Sequence, residues 1–401
     1  FRVIQPGKNR WNAAFWCGSP SVVRRAALES VGGVAHSITE DILTSLRLHA
    51  RGWRTVYHEG VVAYGIAPQT YRAFTVQRLR WAQGAMRILR SRENPLIVRG
   101  LSLAQRLNYL GSMLTYFDGF QKLAFLFVPV AMLWFGWMPV RADGWLFFGH
   151  WILYFVGSYV AATILGRGWF RIGAVERFNA LRMLTFVRAA FTLVLPARLR
   201  FRVTPKQFVE DERSERRAAL PLLLLTLLTG GSCLIGGVRL IGVLPSDAPM
   251  PLLLAATFWA GANAVLLASA VGHILRRRYR RAAYRFPVGV PAQLQVAGHG
   301  PLPCLVRDLS PVGAGVLLDA PPPPLEGPVS LILPDFARPV SAHPVYVRAE
   351  STDDVRLGLR LESPDQATAL EWLRYLFVSL VAQQTDRMDR VLASEPVRSQ
   401  V

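Results

Sequence analysis

The chain has 401 residues, enough for two or three domains, and 52% of them are hydrophobic against 18% charged. That balance excludes an ordinary soluble globular protein of this length and points to membrane-spanning segments. The formal charge of +20 is almost all arginine, since Lys occurs only at 8, 122 and 206; Cys17, Cys233 and Cys304 lie too far apart to suggest a disulfide framework or a zinc site.

The chain opens "FRVIQPGKNR", with no initiator Met and no signal-peptide pattern, and reads as a fragment whose upstream part is missing. Its first 90 residues have a mixed α/β pattern. In "SITEDILTSL", 37 to 46, Ser37 and Glu40 show the S-x-x-E spacing of a capping box, and Ile42, Leu43 and Leu46 supply an apolar helical face. From these residues the acidic pair Glu40 and Asp41 is either a cap at a helix N-terminus or a proton acceptor. "RTVYHEGVVAYG" after Gly52 is strand-like, and a second helix follows Pro68. There "QRLRW" puts Gln77, Arg80 and Trp81 at i, i+3 and i+4, on one face. An amide, a guanidinium and an indole side by side suit a sugar and a phosphate; they equally suit a solvated Arg beside an interfacial Trp. The stretch 94 to 113 is amphipathic, as for a helix lying on a bilayer surface.

Four apolar runs follow, at 123 to 140, 145 to 165, 218 to 238 and 251 to 275, each long enough to span a bilayer. Asp118 and Lys122, four residues apart where the first begins, read as an interfacial ion pair. The segment 166 to 217 holds twelve Arg or Lys and "RRRYRR" follows the last run, whereas the two short loops are nearly free of positive charge. The positive-inside rule then puts both ends of the chain on the cytoplasmic side. From 286 onward, "PAQLQVAG", "LPCLVRDLS", "GAGVLLD", "GPVSLILP", "SAHPVYVRAE" and "VRLGLRLE" are six short alternating strands, the pattern of a small β-barrel. Residues 366 to 382 read as a closing helix, the last twenty as loose, and "PPPP" at 321 to 324 as a rigid loop.

Several of these stretches, in this order, resemble a family. "TED" at 39 to 41 with "QRLRW" at 77 to 81 looks like the second half of a processive family 2 glycosyltransferase. "FWCGS" at 15 to 19 resembles the FFCGS stretch of bacterial cellulose synthase catalytic subunits, with Trp16 for the second Phe, and "FRVTPK" at 201 to 206 is similar to their FxVTxK gating loop. "RRAAYR" at 280 to 285 and "DLSPVG" at 308 to 313 match the RxxxR and DxSxxG signatures of PilZ domains, which bind cyclic di-GMP.

The resemblance implies a multidomain membrane protein. Residues 1–93 would be the end of a GT-A-like α/β transferase domain, 94–275 interfacial helices, gating loop and four transmembrane helices, 276–382 a six-stranded PilZ barrel, and 383–401 a tail. Asp41 would be the general base, Glu40 its cap or site-shaping neighbour, and Arg80 the group that stabilises departing UDP. Gln77 and Trp81 would hold the acceptor sugar, Phe15, Trp16, Cys17 and Gly18 would line its site, and Phe201, Val203 and Thr204 would close over UDP-glucose. Arg280, Arg281, Arg285, Asp308, Ser310 and Gly313 would bind cyclic di-GMP as allosteric activator. The implied reaction extends a β-1,4-glucan with inversion and moves it across the bacterial inner membrane, in a multi-pass protein with cytoplasmic transferase and barrel segments. Mg2+ is implied with ligands in the family's first half, absent here, so no metal ligand is named in this chain and the fragment alone is expected to be inactive. The partners implied are the glucan, the bilayer and a periplasmic cellulose synthase subunit, with no nucleic acid polymer. A synthase of another β-linked polymer, or an inactive membrane receptor for cyclic di-GMP, are the other readings.

Overall fold

The computed structural model describes residues 3–18, 20–60, 67–68, 70–137, 144–195, 212–276, 285–325, 327–334, 336–349, 354–362 and 365–379. The chain divides into two compact units, Phe1–Glu59 with Ala67–Tyr279, and Gly60–Ile66 with Arg280–Val401.

The first unit opens with α1 (Ile4–Asn9), α2 (Arg25–Ser30) and α3 (Glu40–Ala50). The expected capping box does not form. The N-cap of α3 is Thr39, without a side-chain bond, and the Ser37 hydroxyl accepts instead from the Thr39 N–H at 3.3 Å. Ser37 lies two residues upstream of the cap, so it cannot reach the orphan amides of the first turn. The strand-like stretch is extended from Trp53 to Glu59 but joins no ladder; positions 61–66 lie outside the described residues. Two asparagines stand in for a neighbouring strand. Asn12 donates to the Trp53 carbonyl at 3.1 Å and accepts from the Thr55 N–H at 2.9 Å, and Asn9 makes the same pair of bonds to Tyr57 at 2.8 and 2.7 Å. A carboxamide carries a donor and an acceptor, as a peptide group does, which satisfies the backbone without a sheet.

The next helices are α4 (Tyr71–Arg90), α5 (Leu103–Leu114), α6 (Asp118–Phe135), α7 (Gly144–Leu165), α8 (Ile172–Ala190), α9 (Glu212–Leu240) and α10 (Met250–Arg276). Thr70 caps α4 by accepting from the Ala73 N–H, and Glu215 of α9 accepts from the Tyr71 and Arg72 N–H groups at 2.7 and 3.1 Å. A carboxylate at a helix N-terminus satisfies orphan donors and complements the dipole. It also fixes the helix that carries "QRLRW" to an apolar helix. The amphipathic stretch after 94 becomes helical only at Leu103, where Ser102 and Gln105 form a true capping box.

Leu103–Phe135, Arg213–Leu240 and Met250–Arg276 are long and apolar enough to cross a membrane, and α7 contributes a shorter apolar helix, Gly149–Leu165. Three of the four expected spans thus meet the requirement, and the expected run 145 to 165 coincides with the 22-residue helix α7. Their outer faces stay apolar: Leu153, Leu234 and Val265 are 75%, 73% and 71% exposed, an arrangement stable against lipid and not against water. Inside the bundle, Gly236 leaves space that the side chain of Thr257 fills, so α9 and α10 approach closely through small residues.

Asp118 and Lys122 do not pair with each other. Each reaches across to α8, Asp118 to Arg182 at 3.6 Å and Lys122 to Glu176 at 2.9 Å. Helix α8, inside the Arg-rich segment, was not anticipated; Met183 and Phe186 are buried while Arg182 turns to Asp118 of α6 and to the rings of Phe178 and Phe186.

The second unit is a closed antiparallel barrel of β1 (Phe286–Gln295), β2 (Leu302–Ser310), β3 (Gly313–Leu318), β4 (Val329–Ile332), β5 (Val340–Ala349) and β6 (Val355–Leu361), in the order β1-β2-β3-β6-β5-β4. Closure removes the sheet edges. Burial alternates along β1 and β4, and Phe286, Leu294, Val306, Val316, Leu331 and Leu357 are fully buried. The closing helix is α11 (Gln366–Arg374), N-capped by Asp365 and continued by a π-helical turn, Tyr375–Ser379. It seals the core with Trp372 and Leu376, and the Trp372 indole N–H donates to the Ser310 carbonyl at 3.2 Å.

Candidate functional site

In the first unit, the residues of "FWCGS" meet the start of α3. Ser45, one helical turn after Asp41, donates its hydroxyl to the Asp41 carbonyl at 2.9 Å and accepts the Trp16 N–H at 2.8 Å, so the loop is tied to the helix directly behind the carboxylate. Gly18 has φ +67°, the left-handed region, and a Cβ there would sit 3.2 Å from Asp41 Oδ2. Glycine is required twice, by conformation and by the closeness of the carboxylate. Phe15 stacks on Tyr109 of α5 with ring centroids 5.9 Å apart, and Lys8 Nζ lies 4.4 Å from the Phe15 centroid while donating to Ser112 Oγ at 2.6 Å. Burial lowers the Lys8 pKa to about 8. Burial, reinforced by the Asp41 charge, raises the Cys17 thiol to about 11, so this cysteine is a packed, protonated group that receives the Gln5 amide at 2.8 Å.

Asp41 lies in the first turn of α3, and the Ile42 N–H donates to its Oδ1 at 2.8 Å. On position alone a helix N-terminus lowers a carboxylate's pKa. Here the opposite prevails. Burial, with Glu40 adding repulsion, raises it above the ordinary value, against the lowering effects of the backbone bond and of Arg80. A raised pKa makes the ionised group a stronger base, which removes the objection that a capping carboxylate is too weak for the task.

The third component comes from α4. Gly84 leaves no room for a Cβ against the side chain of Thr39, so α4 packs closely on the residue before Glu40. One turn earlier, Arg80 is near enough for its charge to act on Asp41. Gln77, Arg80 and Trp81 are all half-buried on this helix. The residue that sequence reasoning missed is Arg78. Its guanidinium carbon lies 4.5 Å from the Trp81 ring centroid, 5.2 Å from Phe74 and 5.0 Å from Phe178. One side of the indole is thus occupied by a cation, worth about 0.5–2 kcal/mol as a stacking contact, and the indole is held in place. Phe201, Val203 and Thr204 lie outside the described residues.

In the second unit, Arg285 precedes β1 and its Nη1 meets Asp308 Oδ1 at 2.6 Å. The Ser310 hydroxyl donates to the Gly313 carbonyl at 2.9 Å and closes the β2–β3 turn; a Cβ on Gly313 would lie 2.7 Å from the Leu359 carbonyl oxygen. Four of the six residues expected here, Arg285, Asp308, Ser310 and Gly313, therefore converge, while Arg280 and Arg281 lie outside the described residues. The structure adds Arg356 of β6, whose Nη2 meets Asp308 Oδ2 at 2.9 Å. It also adds Gly315, where a Cβ would lie 2.6 Å from the same carboxylate. Neither could be seen in the motif, because Arg356 is 48 residues from Asp308 and meets it only through barrel closure. Among the described residues no group of three His, Cys, Asp or Glu side chains could hold a metal ion.

Residues 4–165 match the family model for glycosyl transferase family group 2, and residues 275–378 match the PilZ domain. The chain is 36% identical over 244 residues to a cellulose synthase catalytic subunit [UDP-forming] of Komagataeibacter sucrofermentans, covering 60% of this chain and 32% of that protein. It is 33% identical over 326 residues to the protein of the same name in Xanthomonas axonopodis pv. citri, covering 80% of this chain and 44% of the relative. The chain thus spans less than half the length of either relative. A solved PilZ domain with c-di-GMP of YcgR from Escherichia coli is 18% identical over 27% of this chain and 98% of its own, with a TM-score of 0.24.

Proposed function

We propose, for a chain that is a homologue of cellulose synthase catalytic subunits with a family 2 glycosyltransferase segment followed by a PilZ domain, that it forms the acceptor side of a processive UDP-glucose transferase. The acceptor is the terminal sugar of a growing β-1,4-glucan. Its hydroxyl oxygen attacks C1 of the donor glucose, the bond from C1 to the UDP oxygen breaks, and Asp41 takes the hydroxyl proton. Arg80 stabilises the negative charge gathering on UDP, Gln77 and the free side of Trp81 hold the acceptor ring, and "FWCGS" shapes the pocket behind it. Partial burial keeps the carboxylate's pKa high, and Glu40 adds to it. Phe201, Val203 and Thr204 close over the donor.

The observation that carries this reading is the half-buried Asp41 carboxylate, close to Gly18 of "FWCGS" and within reach of the Arg80 charge. It joins three separate sequence motifs at one proton acceptor. The Mg2+ expected of such an enzyme finds no ligand set among the described residues, and no step here passes through it. The apolar helices cross the bacterial inner membrane with the transferase segment and barrel on the cytoplasmic side, and the glucan leaves between them toward a periplasmic subunit. Cyclic di-GMP binds at Arg280, Arg281, Arg285 and the "DLSPVG" turn and releases the gating loop.

The test is Asp41→Asn in the full-length enzyme. A general base contributes about 10²–10⁴ in rate, so polymer synthesis is expected to fall by that factor with UDP affinity little changed. Synthesis within a few-fold of wild type would reduce Asp41 to a structural residue.

A further inference from the structure

On the barrel's outer surface the strand register aligns a row that the sequence motifs do not contain. Asp308 is opposite Gly315, Gly315 opposite Gly358, and Gly358 opposite Tyr346, across β2, β3, β6 and β5. The two glycines are what the row requires. The Asp308 carboxylate lies over Gly315, and the Tyr346 ring lies over Gly358, where any Cβ would collide with it. Lying flat, Asp308 reaches past β3 to Arg356.

Arg356 belongs to the adjacent row and stands directly opposite Arg348 of β5. Like charges placed opposite one another across a ladder destabilise a sheet. The nearby carboxylate does not resolve this, because Asp308 shares its two oxygens between Arg285 and Arg356. Two guanidiniums therefore share one carboxylate, and a third stands opposite Arg356 on the neighbouring strand, so positive charge gathers on this half-exposed surface. A cyclic dinucleotide carries two phosphodiester charges. Guanidinium forks match phosphate oxygens in shape as well as sign.

We propose that Arg356 is a phosphate-contacting residue of the dinucleotide site, so that the ligand spans from Arg285 before β1 across β3 to β6. In the unliganded protein Asp308 holds both Arg285 and Arg356 in position as their shared counter-ion. On binding, the phosphates supply the charge that the carboxylate alone cannot. The assignment rests on the proposed cyclic di-GMP binding and adds to it a residue outside both signature motifs.

The test is isothermal titration of cyclic di-GMP into the full chain in detergent. A charge-assisted hydrogen bond contributes roughly 1.5–3 kcal/mol, so Arg356→Ala is expected to weaken binding about tenfold to a hundredfold, with partial recovery in Arg356→Lys. The same substitution is then made in an Asp308→Asn background. The loss is expected to persist there if Arg356 touches phosphate, and a loss that vanishes there would show that Arg356 acts only through Asp308 and overturn the proposal. So would wild-type affinity in Arg356→Ala. If the alanine variant does not fold, Arg356→Lys decides alone: it keeps the counter-charge but not the fork, and undiminished affinity in it overturns the proposal. No binding by the wild-type chain refutes instead the dinucleotide reading on which the assignment stands.

Discussion

Each of the two units has one aspartate at the centre of a candidate site, buried Asp308 and half-buried Asp41, and they hold it in opposite ways. Asp308 is gripped through both oxygens by guanidiniums from different parts of the barrel. Asp41 accepts a backbone N–H of its own helix on one oxygen and lies against Gly18 with the other, and burial rather than pairing sets its pKa. A carboxylate locked to two arginines is a good scaffold. A desolvated one keeps its affinity for a proton. The same residue type is therefore fitted to two tasks by its partners, not by its position in a motif.

This contrast can be broken by making the same substitution twice. Asp308→Asn leaves Arg285 and Arg356 without their counter-charge. Breaking a buried pair costs about 3–5 kcal/mol, and partial exposure of these arginines reduces that to about 2 kcal/mol. Asp41→Asn is expected to be neutral or stabilising. Its folded pKa lies above the unfolded one, so at neutral pH the ionised carboxylate subtracts from stability, and asparagine removes that penalty. Denaturation midpoints of the full chain at pH 7 measure both, and equal losses in the two variants would erase the distinction.

A smaller effect sharpens the picture of the first site. Arg78→Met should free the Trp81 indole, raising KM for a glucan acceptor about threefold to tenfold with less change in kcat, since one stacking contact of about 0.5–2 kcal/mol is lost. Arg78→Lys, which keeps charge but not the planar stack, should fall between. An unaltered KM in Arg78→Met would mean that the indole is held by its other neighbours.

Much of this architecture is legible in the chain. The six strands follow from period-two alternation between Gly, Pro and Asp, and the shared face of Gln77, Arg80 and Trp81 follows from helical spacing. What stayed hidden depends on contacts between distant residues. Arg356 reaches Asp308 only in the closed barrel, and Arg78 meets Phe178 only when α8 packs on α4. Ser37 was misread because the spacing of a capping box does not reveal where a helix begins, whereas the same kind of spacing at Ser102 and Gln105 is real. The direction of the Asp41 shift was missed because a helix N-terminus is local and burial is not.

The most direct test of Asp41 as the base is the pH dependence of kcat/KM for glucan extension by the full-length enzyme. The base must be ionised, so the rate should fall as pH drops through the Asp41 pKa, with a midpoint above the ordinary carboxylate value of 3.8. That acid limb should be missing from the residual activity of Asp41→Asn. The same limb in both proteins would place the base elsewhere.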